Sequence, residues 1–318
     1  MKVLHITTNY PTPDHPIFGI FVKEQVASLK ALGVECDVLY CDRKGRGTWM
    51  YLTYIPKIWW TILRNHYDII HCHHLLSALL CICTLWPLFK KCVVSYQNDP
   101  TREWKLNCFG LVHLLFKMII IKNDSPYLKR SKTVYLPNGC NETFFRPMDK
   151  MACRAAMGMD PDAAYVLFMD SNHLGRPQKR KDRFDATLDL VRRRMPNVRA
   201  LELYNTPREK VPVLINACDL HLISSDFEGS PNSVKECLCC NVPVVSTDVG
   251  NVREMMGDIP GCVVVDAFTP EALAEGVYKV LSCGNRFNGR EMFLEKGYSL
   301  SAVAKKLKGV YDLLMARH

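Results

Sequence analysis

The sequence predicts an α/β protein with two doubly wound domains. Short runs of β-branched residues alternate with longer helical patterns, which is typical of βαβ units on a parallel sheet. The chain has 318 residues, enough for two domains of roughly 100 to 200 residues each. A turn at Pro137 to Gly139, followed by an extended segment at Phe144 to Pro147, marks a boundary. We therefore expect one domain over residues 1–147, a second over 148–298 and a closing helix within 299–318.

The predicted elements follow this alternation. Strands of the first domain are expected at residues 2–7, 35–40, 68–72, 92–96 and 133–136, and its first helix at 18–32. Strands of the second domain are expected at residues 165–169, 199–204, 220–223, 242–246 and 262–265, with helices at 183–194, 209–217, 233–240 and 270–281. A last helix over residues 301–315 carries apolar side chains at helical spacing.

The composition is that of a globular protein, which excludes disorder. Apolar residues make up 48% and charged residues 23% of the chain. The apolar stretches 75–89 and 108–121 do not read as membrane spans and are predicted to be helices packed on a sheet. The start of the chain lacks a signal-peptide pattern, so a cytoplasmic location is expected. The fifteen cysteines are interpreted as free core thiols in a reducing compartment, and no metal site is expected.

The positive charge is concentrated in the first half. Residues 1–150 hold 19 basic against 11 acidic residues, a net of +8, whereas residues 151–318 hold 22 against 21, a net of +1. Segment 43–67 has no acidic residue and interleaves Trp and Tyr with basic side chains. Such a mixture attracts anionic lipid headgroups, so an anionic membrane surface is an expected partner. A solvated basic face beside an aromatic core stripe is the alternative. The basic residues of this segment are Arg43, Lys44, Arg46, Lys57 and Arg64.

The most informative segment covers residues 218–236. A predicted strand is followed by a turn with Gly229 and Pro231, and then by a helix. Backbone N–H groups at a helix N-terminus carry partial positive charge, so this turn can bind phosphate. Glu228 and Glu236 lie on either side of the turn, and ionised carboxylates accept hydrogen bonds from vicinal sugar hydroxyls. The segment therefore suits a phosphorylated sugar ligand.

The ends of this helix give two further indications. Asn232 or Ser233 can equally be its plain N-cap, without any ligand. Asn241 stands where the helix needs a left-handed residue at its C-terminus. Residues 242–247 then read as a buried parallel strand, and 248–251 as a loop.

This part of the chain resembles the signature of the large retaining glycosyltransferase family 4, the glycosyl transferases group 1. The resemblance rests on Glu228 and Glu236, eight positions apart, followed by the strand and loop at residues 240–250. The family has the GT-B architecture, which implies two Rossmann-like domains facing a central cleft. It also implies that the closing helix crosses back to the first domain. Four other segments match as well, so the resemblance covers nearly the whole chain: residues 16–19, 68–73, 136–139 and 145–147.

The resemblance implies a nucleotide-sugar site in the second domain. Glu236 would bind the ribose hydroxyls, and Glu228 would contact the donor sugar or its phosphate region. The turn would hold the diphosphate through backbone N–H groups of Gly229, Ser230, Asn232 and Ser233.

An Arg and a Lys of the family clamp the diphosphate and neutralise the charge that develops as it departs. Arg176 fits the Arg of this pair. The spacing leaves the Lys open between Lys179 and Lys181. A solvated basic patch is the alternative interpretation of residues 176–181.

Four first-domain residues are candidates for substrate contact. Gly19 would bring the first helix N-terminus close to phosphate. His73 and His74 follow a parallel strand at its ligand-facing end, where they would approach the acceptor or else pack structurally. Gln97 stands where the family often has a His. It can bind a sugar but cannot shuttle a proton, so an acid/base role there is in doubt.

Two other departures concern the second domain. Between Leu201 and Cys218 the family's usual additional strand and helix are missing, which leaves the identity of the nucleobase open. Gly250 is followed by Asn251 rather than by a second Gly.

The resemblance predicts a retaining hexosyl- or N-acetylhexosaminyl-transferase that uses a nucleotide diphosphate sugar. The acceptor would be a glycan, and a lipid-linked saccharide of surface polysaccharide biosynthesis is expected. Such an acceptor would explain the basic, aromatic first domain and places the protein peripherally on the cytoplasmic face of the inner membrane. No cofactor, metal or nucleic-acid partner is implied. The alternatives are a GT-B sugar-nucleotide epimerase and a non-catalytic, membrane-associated scaffold.

Overall fold

The structure, a computed structural model, consists of two compact units. The first comprises Met1–Gly139 and Leu300–His318, and the second Cys140–Ser299. The residues that the structure describes are 1–15, 17–42, 47–100, 108–123, 125–170, 176–204, 206–283 and 287–316.

The first unit contains a six-stranded parallel sheet in the order β2-β1-β3-β4-β5-β6. Its strands are β1 Lys2–Thr7, β2 Glu35–Tyr40, β3 Ile69–His73, β4 Lys91–Ser95, β5 Met118–Ile121 and β6 Thr133–Tyr135. The α-helices between them are α1 Ile20–Ala31, α2 Tyr54–Arg64, α3 Leu75–Cys83 and α4 Phe109–Leu115. Short 3-10 helices cover Thr48–Thr53, Trp86–Leu88 and Pro126–Lys129.

The second unit contains a five-stranded parallel sheet in the order β11-β10-β9-β7-β8. Its strands are β7 Ala164–Met169, β8 Val198–Leu203, β9 Leu220–Ile223, β10 Val244–Thr247 and β11 Val263–Val265. Its α-helices are α5 Lys150–Ala156, α6 Lys181–Arg194, α7 Val211–Ala217, α8 Asn232–Cys239, α9 Val252–Met256, α10 Pro270–Leu281 and α11 Arg290–Glu295. Two 3-10 helices cover Pro177–Lys179 and Arg208–Lys210. Buried side chains cover both faces of each sheet, so both units are doubly wound.

The last helix, α12 Leu300–Ala316, belongs to the first unit although it follows the second in sequence. Its buried residues pack with those of α1 and of the first sheet. Val303, Leu307 and Tyr311 are at most 2% exposed. The helix therefore forms part of the first unit's core.

The division between the units falls earlier than the sequence placed it. The sequence put the boundary at 147/148, whereas the structure divides the chain at Gly139 and Cys140. Phe145 is fully buried in the core of the second unit. The Cys140 N–H donates to the Tyr298 carbonyl, with 2.9 Å between N and O. These contacts attach residues 140–147 to the second unit.

One apolar stretch is not the single helix that the sequence predicted. Residues 108–121 form α4 and then β5, an internal strand of the first sheet. Buried strands and buried helices are equally apolar, so hydropathy alone cannot separate them. Among the described residues, no helix is both long enough and apolar enough to cross a membrane.

Three buried histidines form a polar layer on the face of the first sheet that packs against α12. His5 of β1 is in register with His71 of β3, and His73 follows two residues later. His71 Nδ1 lies 2.6 Å from the Tyr311 hydroxyl and Nε2 lies 2.7 Å from the Ser95 hydroxyl. His5 Nδ1 lies 3.0 Å from His73 Nε2. Burial lowers the pKa of all three, that of His5 to about 3, so the layer is neutral at neutral pH.

This layer predicts that acid destabilises the protein. Below about pH 6.5 the unfolded chain protonates these histidines while the folded chain keeps them neutral. The unfolded state then binds more protons, so the free energy of unfolding falls as the pH drops, by up to about 1.4 kcal/mol per pH unit for each histidine. Scanning calorimetry between about pH 7.5 and about pH 5 measures this loss.

Two variants test whether the histidine layer causes this loss of stability at low pH. His5→Leu should make the pH dependence shallower, whereas His15→Leu, at an exposed histidine, should leave it unchanged. A transition temperature that stays constant over this pH range would contradict the prediction.

Candidate donor site and acceptor-side residues

An ion pair marks the candidate donor site in the second unit. It lies where β7 and β9 end, and these are the two strands between which the strand order reverses. Doubly wound proteins bind ligands at such a point, outside the carboxyl ends of the strands. Lys179 Nζ lies 2.6 Å from Glu228 Oε1, and the two side chains are only 12% and 17% exposed. The Ser225 hydroxyl donates to the same oxygen at 2.9 Å. Because both contacts use Oε1, the Oε2 atom keeps its capacity to accept from a ligand hydroxyl.

Several hydrogen bonds hold the loops on either side of this pair. The Ser224 hydroxyl donates to the Lys179 carbonyl at 2.9 Å, and the Asp226 N–H donates to the Gln178 carbonyl at 2.8 Å. Arg183 donates to the Ser224 carbonyl and to the Asp226 carboxylate, at 2.7 Å in each case. The segment after β7 and the loop after β9 are therefore fixed to each other.

The two candidate lysines lie in different surroundings. Lys181, at the start of α6, pairs with Asp185 and, at 2.9 Å, with Glu202. Its ammonium also lies over the Phe168 and Phe184 rings. Lys179, not Lys181, is therefore the lysine that contacts Glu228. Arg176 is exposed at the start of this segment, and residues 171–175 before it lie outside the described part of the chain.

The turn before α8 has no side-chain cap. The N-cap position is Pro231, so the interpretation of Asn232 or Ser233 as the N-cap is not observed. Instead the Asn232 Oδ1 atom accepts from Lys235 at 3.3 Å. The first backbone N–H groups of α8 therefore have no capping oxygen from an N-cap side chain, as phosphate binding requires. Within the described residues, the buried Ser230 hydroxyl oxygen has no hydrogen-bond partner.

Ser233 is held by a buried histidine that sequence reasoning missed. His221 Nδ1 lies 2.9 Å from the Leu167 carbonyl, which can only accept, so Nδ1 carries the proton. Burial lowers the pKa of His221 to about 4, so the ring is neutral and Nε2 is an acceptor. The Ser233 hydroxyl therefore donates to Nε2 at 3.0 Å. What Ser233 can still donate to a ligand is its backbone N–H.

Two glycines bring the loop after β10 against the turn. Gly250 has a φ of 58°, and a Cβ there would lie 2.1 Å from the Gly229 carbonyl oxygen. Only a residue without a Cβ fits this approach. Packing therefore requires a glycine at Gly250. Asn251, which replaces the family's second Gly, is the residue that follows it.

Glu236 has an arginine partner that the sequence did not indicate. Arg208 Nη1 lies 2.8 Å from Glu236 Oε1, and the side chains are 20% and 14% exposed. The Arg208 guanidinium also lies over the Phe145 ring, 4.6 Å from its centre, and 5.5 Å from that of Phe144. Phe144 and Phe145 thereby position Arg208. No spacing signal could have found it, because the contact joins residues 28 positions apart.

The first-unit candidates do not form one group. Gly19 is the N-cap of α1, with a φ of 67°, and a Cβ there would lie 2.3 Å from the Asn9 carbonyl carbon. Asn9 Nδ2 in turn lies 2.8 Å from His74 Nε2. Gly19, Asn9 and His74 therefore lie together where β1 and β3 end. Gln97 accepts from Asn138 at 2.9 Å.

His73 lies beneath this edge. Its side chain has no exposed surface and contacts His5 in the polar layer. This burial favours the packing alternative over contact with an acceptor.

The same histidine layer is the candidate to consider for a metal. Within the described residues, His5, His71 and His73 offer ligand atoms within 4.8 Å of one another. Both His71 nitrogens already contact hydroxyls. Beyond the effect of burial, the Lys122 ammonium lowers the pKa of His71 and His73, and it would also repel a bound cation. The layer therefore fits packing better than metal binding, and a metal-free protein stays a prediction.

Sequence comparison relates the chain to glycosyltransferases. Residues 193–299 match the family described as Glycosyl transferases group 1. A D-inositol 3-phosphate glycosyltransferase of Segniliparus rotundus is 27% identical over 210 residues, which are 55% of this chain and 46% of the relative. The match thus spans about half the length of that relative.

Comparison with solved structures shows the fold. Sucrose-phosphate synthase from Thermosynechococcus elongatus has a TM-score of 0.80 at 15% identity, and all of both chains is covered. HepE of Anabaena, solved in complex with UDP, has a TM-score of 0.73 at 14% identity, with 98% of this chain and 100% of that chain covered. The α/β fold expected from the sequence is confirmed. The chain has the GT-B fold of these proteins, and residues 193–299 of its second unit match the group 1 glycosyl transferases.

Proposed function

We propose that the chain is a retaining glycosyltransferase of family 4. It would transfer a hexosyl or N-acetylhexosaminyl group from a nucleotide diphosphate sugar to a glycan acceptor. The observation that carries this proposal is the Lys179–Glu228 ion pair at the strand-order reversal, beside the N-terminus of α8. It brings a cation and a hydroxyl acceptor to the ligand-binding edge of the sheet. The UDP complex of HepE, which has the same fold, supports a nucleotide diphosphate as the leaving group.

Each residue has a role that its contacts support. Lys179 and the exposed Arg176 neutralise the diphosphate as negative charge develops on it. Glu228 accepts from a hydroxyl of the donor sugar through Oε2. Glu236, held by Arg208, accepts from the ribose hydroxyls. The backbone N–H groups of the turn bind the phosphate oxygens.

The proposed reaction exchanges one bond for another at the anomeric carbon. The acceptor hydroxyl oxygen bonds to this carbon while the bond from the carbon to the diphosphate oxygen breaks. The hydroxyl proton passes to the departing diphosphate. Attack from the face that the diphosphate leaves retains the anomeric configuration. The clamp of Arg176 and Lys179 performs the electrostatic work, so we propose a metal-independent reaction.

Three variants test the site. Lys179→Met and Glu236→Gln should each raise the Kd for UDP about tenfold, because each removes a charge-assisted hydrogen bond to the ligand. Lys181→Met is the matched control and should change this Kd less than about twofold, since Lys181 pairs with Asp185 and Glu202. Isothermal titration calorimetry measures all three. Equal losses in the two lysine variants would overturn the assignment of Lys179.

The activity is tested in two steps. Nucleotide sugars are first screened for thermal stabilisation, which identifies the donor by mass action. Release of its nucleotide is then measured with and without glycan acceptors. A transferase shows acceptor-dependent release, whereas an epimerase interconverts the sugar nucleotides without an acceptor, and a non-catalytic scaffold does neither.

We further propose that the acceptor is lipid-linked, in surface polysaccharide biosynthesis, and that the protein lies on the cytoplasmic face of the inner membrane. The support is an exposed aromatic surface on the first unit. Trp59, Trp60 and Leu63 of α2 are 42%, 49% and 47% exposed, and Phe89 is 75% exposed. The Trp86 indole donates to the Trp59 carbonyl at 3.3 Å and joins the two segments. We call the exposed apolar side chains of α2 and residues 85–89 the aromatic surface.

Basic side chains accompany this surface. The Arg64 guanidinium lies 4.8 Å from the centre of the Trp60 ring, and the Lys57 ammonium 5.5 Å from that of Tyr54. Lys90 follows directly after Phe89. Arg43, Lys44 and Arg46 lie outside the described residues. Cations beside interfacial aromatic side chains suit an anionic lipid surface.

Vesicle sedimentation tests this docking. Binding should require phosphatidylglycerol in phosphatidylcholine vesicles and weaken with salt. The double variant Trp60→Ser, Phe89→Ser should bind at least about tenfold more weakly, because it removes two side chains that would be buried in the interface. Leu313→Ser, at another exposed apolar residue, is the control and should bind as the wild type does. Equal sedimentation of all three proteins would refute the docking surface.

A further inference from the structure

A buried lysine donates to the turn of the donor site. Lys235, on the first turn of α8, has no exposed surface. Its Nζ atom lies 3.2 Å from the Ser230 carbonyl oxygen and 3.3 Å from Asn232 Oδ1. The ammonium thus bonds to both ends of the segment that leads into the helix. Burying an ammonium is costly unless a negative charge compensates it.

The surroundings of Lys235 compensate its charge only in part. Among the described residues, no carboxylate forms an ion pair with it. Glu236, on its own helix, raises the pKa of Lys235, but it is paired with Arg208, and the effect of burial in lowering this pKa is larger. Cys140 is the ionisable group that reaches it from another segment, and burial raises the pKa of this thiol well above its usual value, so it is uncharged.

Among the described residues, the elements packed against α8 form no ion pair with Lys235. Helix α7 and strand β10 carry no ionisable side chain. From α11, Arg290 donates to the Cys239 carbonyl, and Glu291 and Glu295 are exposed to solvent. The N-terminal end of α8 itself carries partial positive charge, which also disfavours a cation there. Burial accordingly lowers the pKa of Lys235 to about 7.

We propose that Lys235 is a positioning residue of the donor site, whose Nζ atom holds the Ser230–Asn232 turn and gains a proton when a nucleotide diphosphate binds at that turn. The phosphate groups supply the negative charge that the surroundings of Lys235 lack. The proton comes from solvent and stays on Nζ while the ligand is bound. This inference rests on the proposed function, because it requires the diphosphate to lie at the turn.

Calorimetric titration with UDP at about pH 8, in buffers of different ionisation enthalpy, counts the protons taken up. At this pH free Lys235 is largely neutral, whereas a phosphate with a pKa of about 6 is already ionised. His221, with a pKa of about 4, stays neutral. The wild type should take up roughly half a proton or more per UDP bound.

Two substitutions at Lys235 distinguish the effect of its charge from the effect of its size. Lys235→Met should take up no proton at this position and should raise the Kd for UDP about tenfold. Lys235→Arg, which stays charged at every accessible pH, should also take up none but should bind UDP more tightly than the Met variant. Lys150→Met, at a half-exposed lysine of α5 paired with Asp219, is the control and should match the wild-type uptake.

The outcomes are distinguishable. If UDP binds the wild type without proton uptake, or if Lys235→Met takes up as much as the wild type, the inference is wrong while the proposed function stands. If UDP does not bind the wild type at all, the proposed function fails, and this inference with it. Should the Met variant not fold, the wild type and Lys235→Arg still decide, because only the wild type can gain a proton there.

Discussion

The ion pair between Lys179 and Glu228 connects the two loops that leave the second sheet where its strand order reverses. Both partners are largely buried, so each depends on the other for compensation of its charge. Glu228 directly precedes Gly229, whose carbonyl lies against Gly250. The pair therefore fixes one loop, and through that loop it fixes the turn before α8. The geometry of the donor site depends on this ion pair together with the hydrogen bonds of Ser224, Asp226 and Arg183 that join the same loops.

The cations of the donor site in the second unit already have carboxylate partners. Lys179, Arg183 and Arg208 each contact a carboxylate in the structure. A diphosphate would bring additional negative charge into a site whose charges balance without it. Binding of a diphosphate would therefore weaken some of these ion pairs, or Arg176 and protonated Lys235 would compensate its negative charge. The net charge of +8 in residues 1–150 does not contribute to this site, so it is available to attract an anionic surface.

The sequence was sufficient for the fold class, since the alternation of strands and helices is a local pattern. The roles of Glu228 and Glu236 stay predictions. The sequence could not choose between Lys179 and Lys181, because the 3-10 helix at Pro177–Lys179 and the left-handed Arg180 determine where each side chain lies. Arg208 and His221 were not predicted because their roles arise from contacts between segments that are distant in sequence. The strand β5 was missed because a buried strand and a buried helix have the same hydropathy.

The first unit is assembled from two segments that are separated in sequence by the whole second unit, and this affects the order in which the protein can fold during synthesis. Tyr311 of α12 contacts His71, and α12 packs against the sheet beside α1. The ribosome delivers α12 only after the whole second unit has emerged. The second unit, continuous in sequence, can close its core first. The sheet of the first unit, although translated earlier, keeps one face partly uncovered until α12 has emerged.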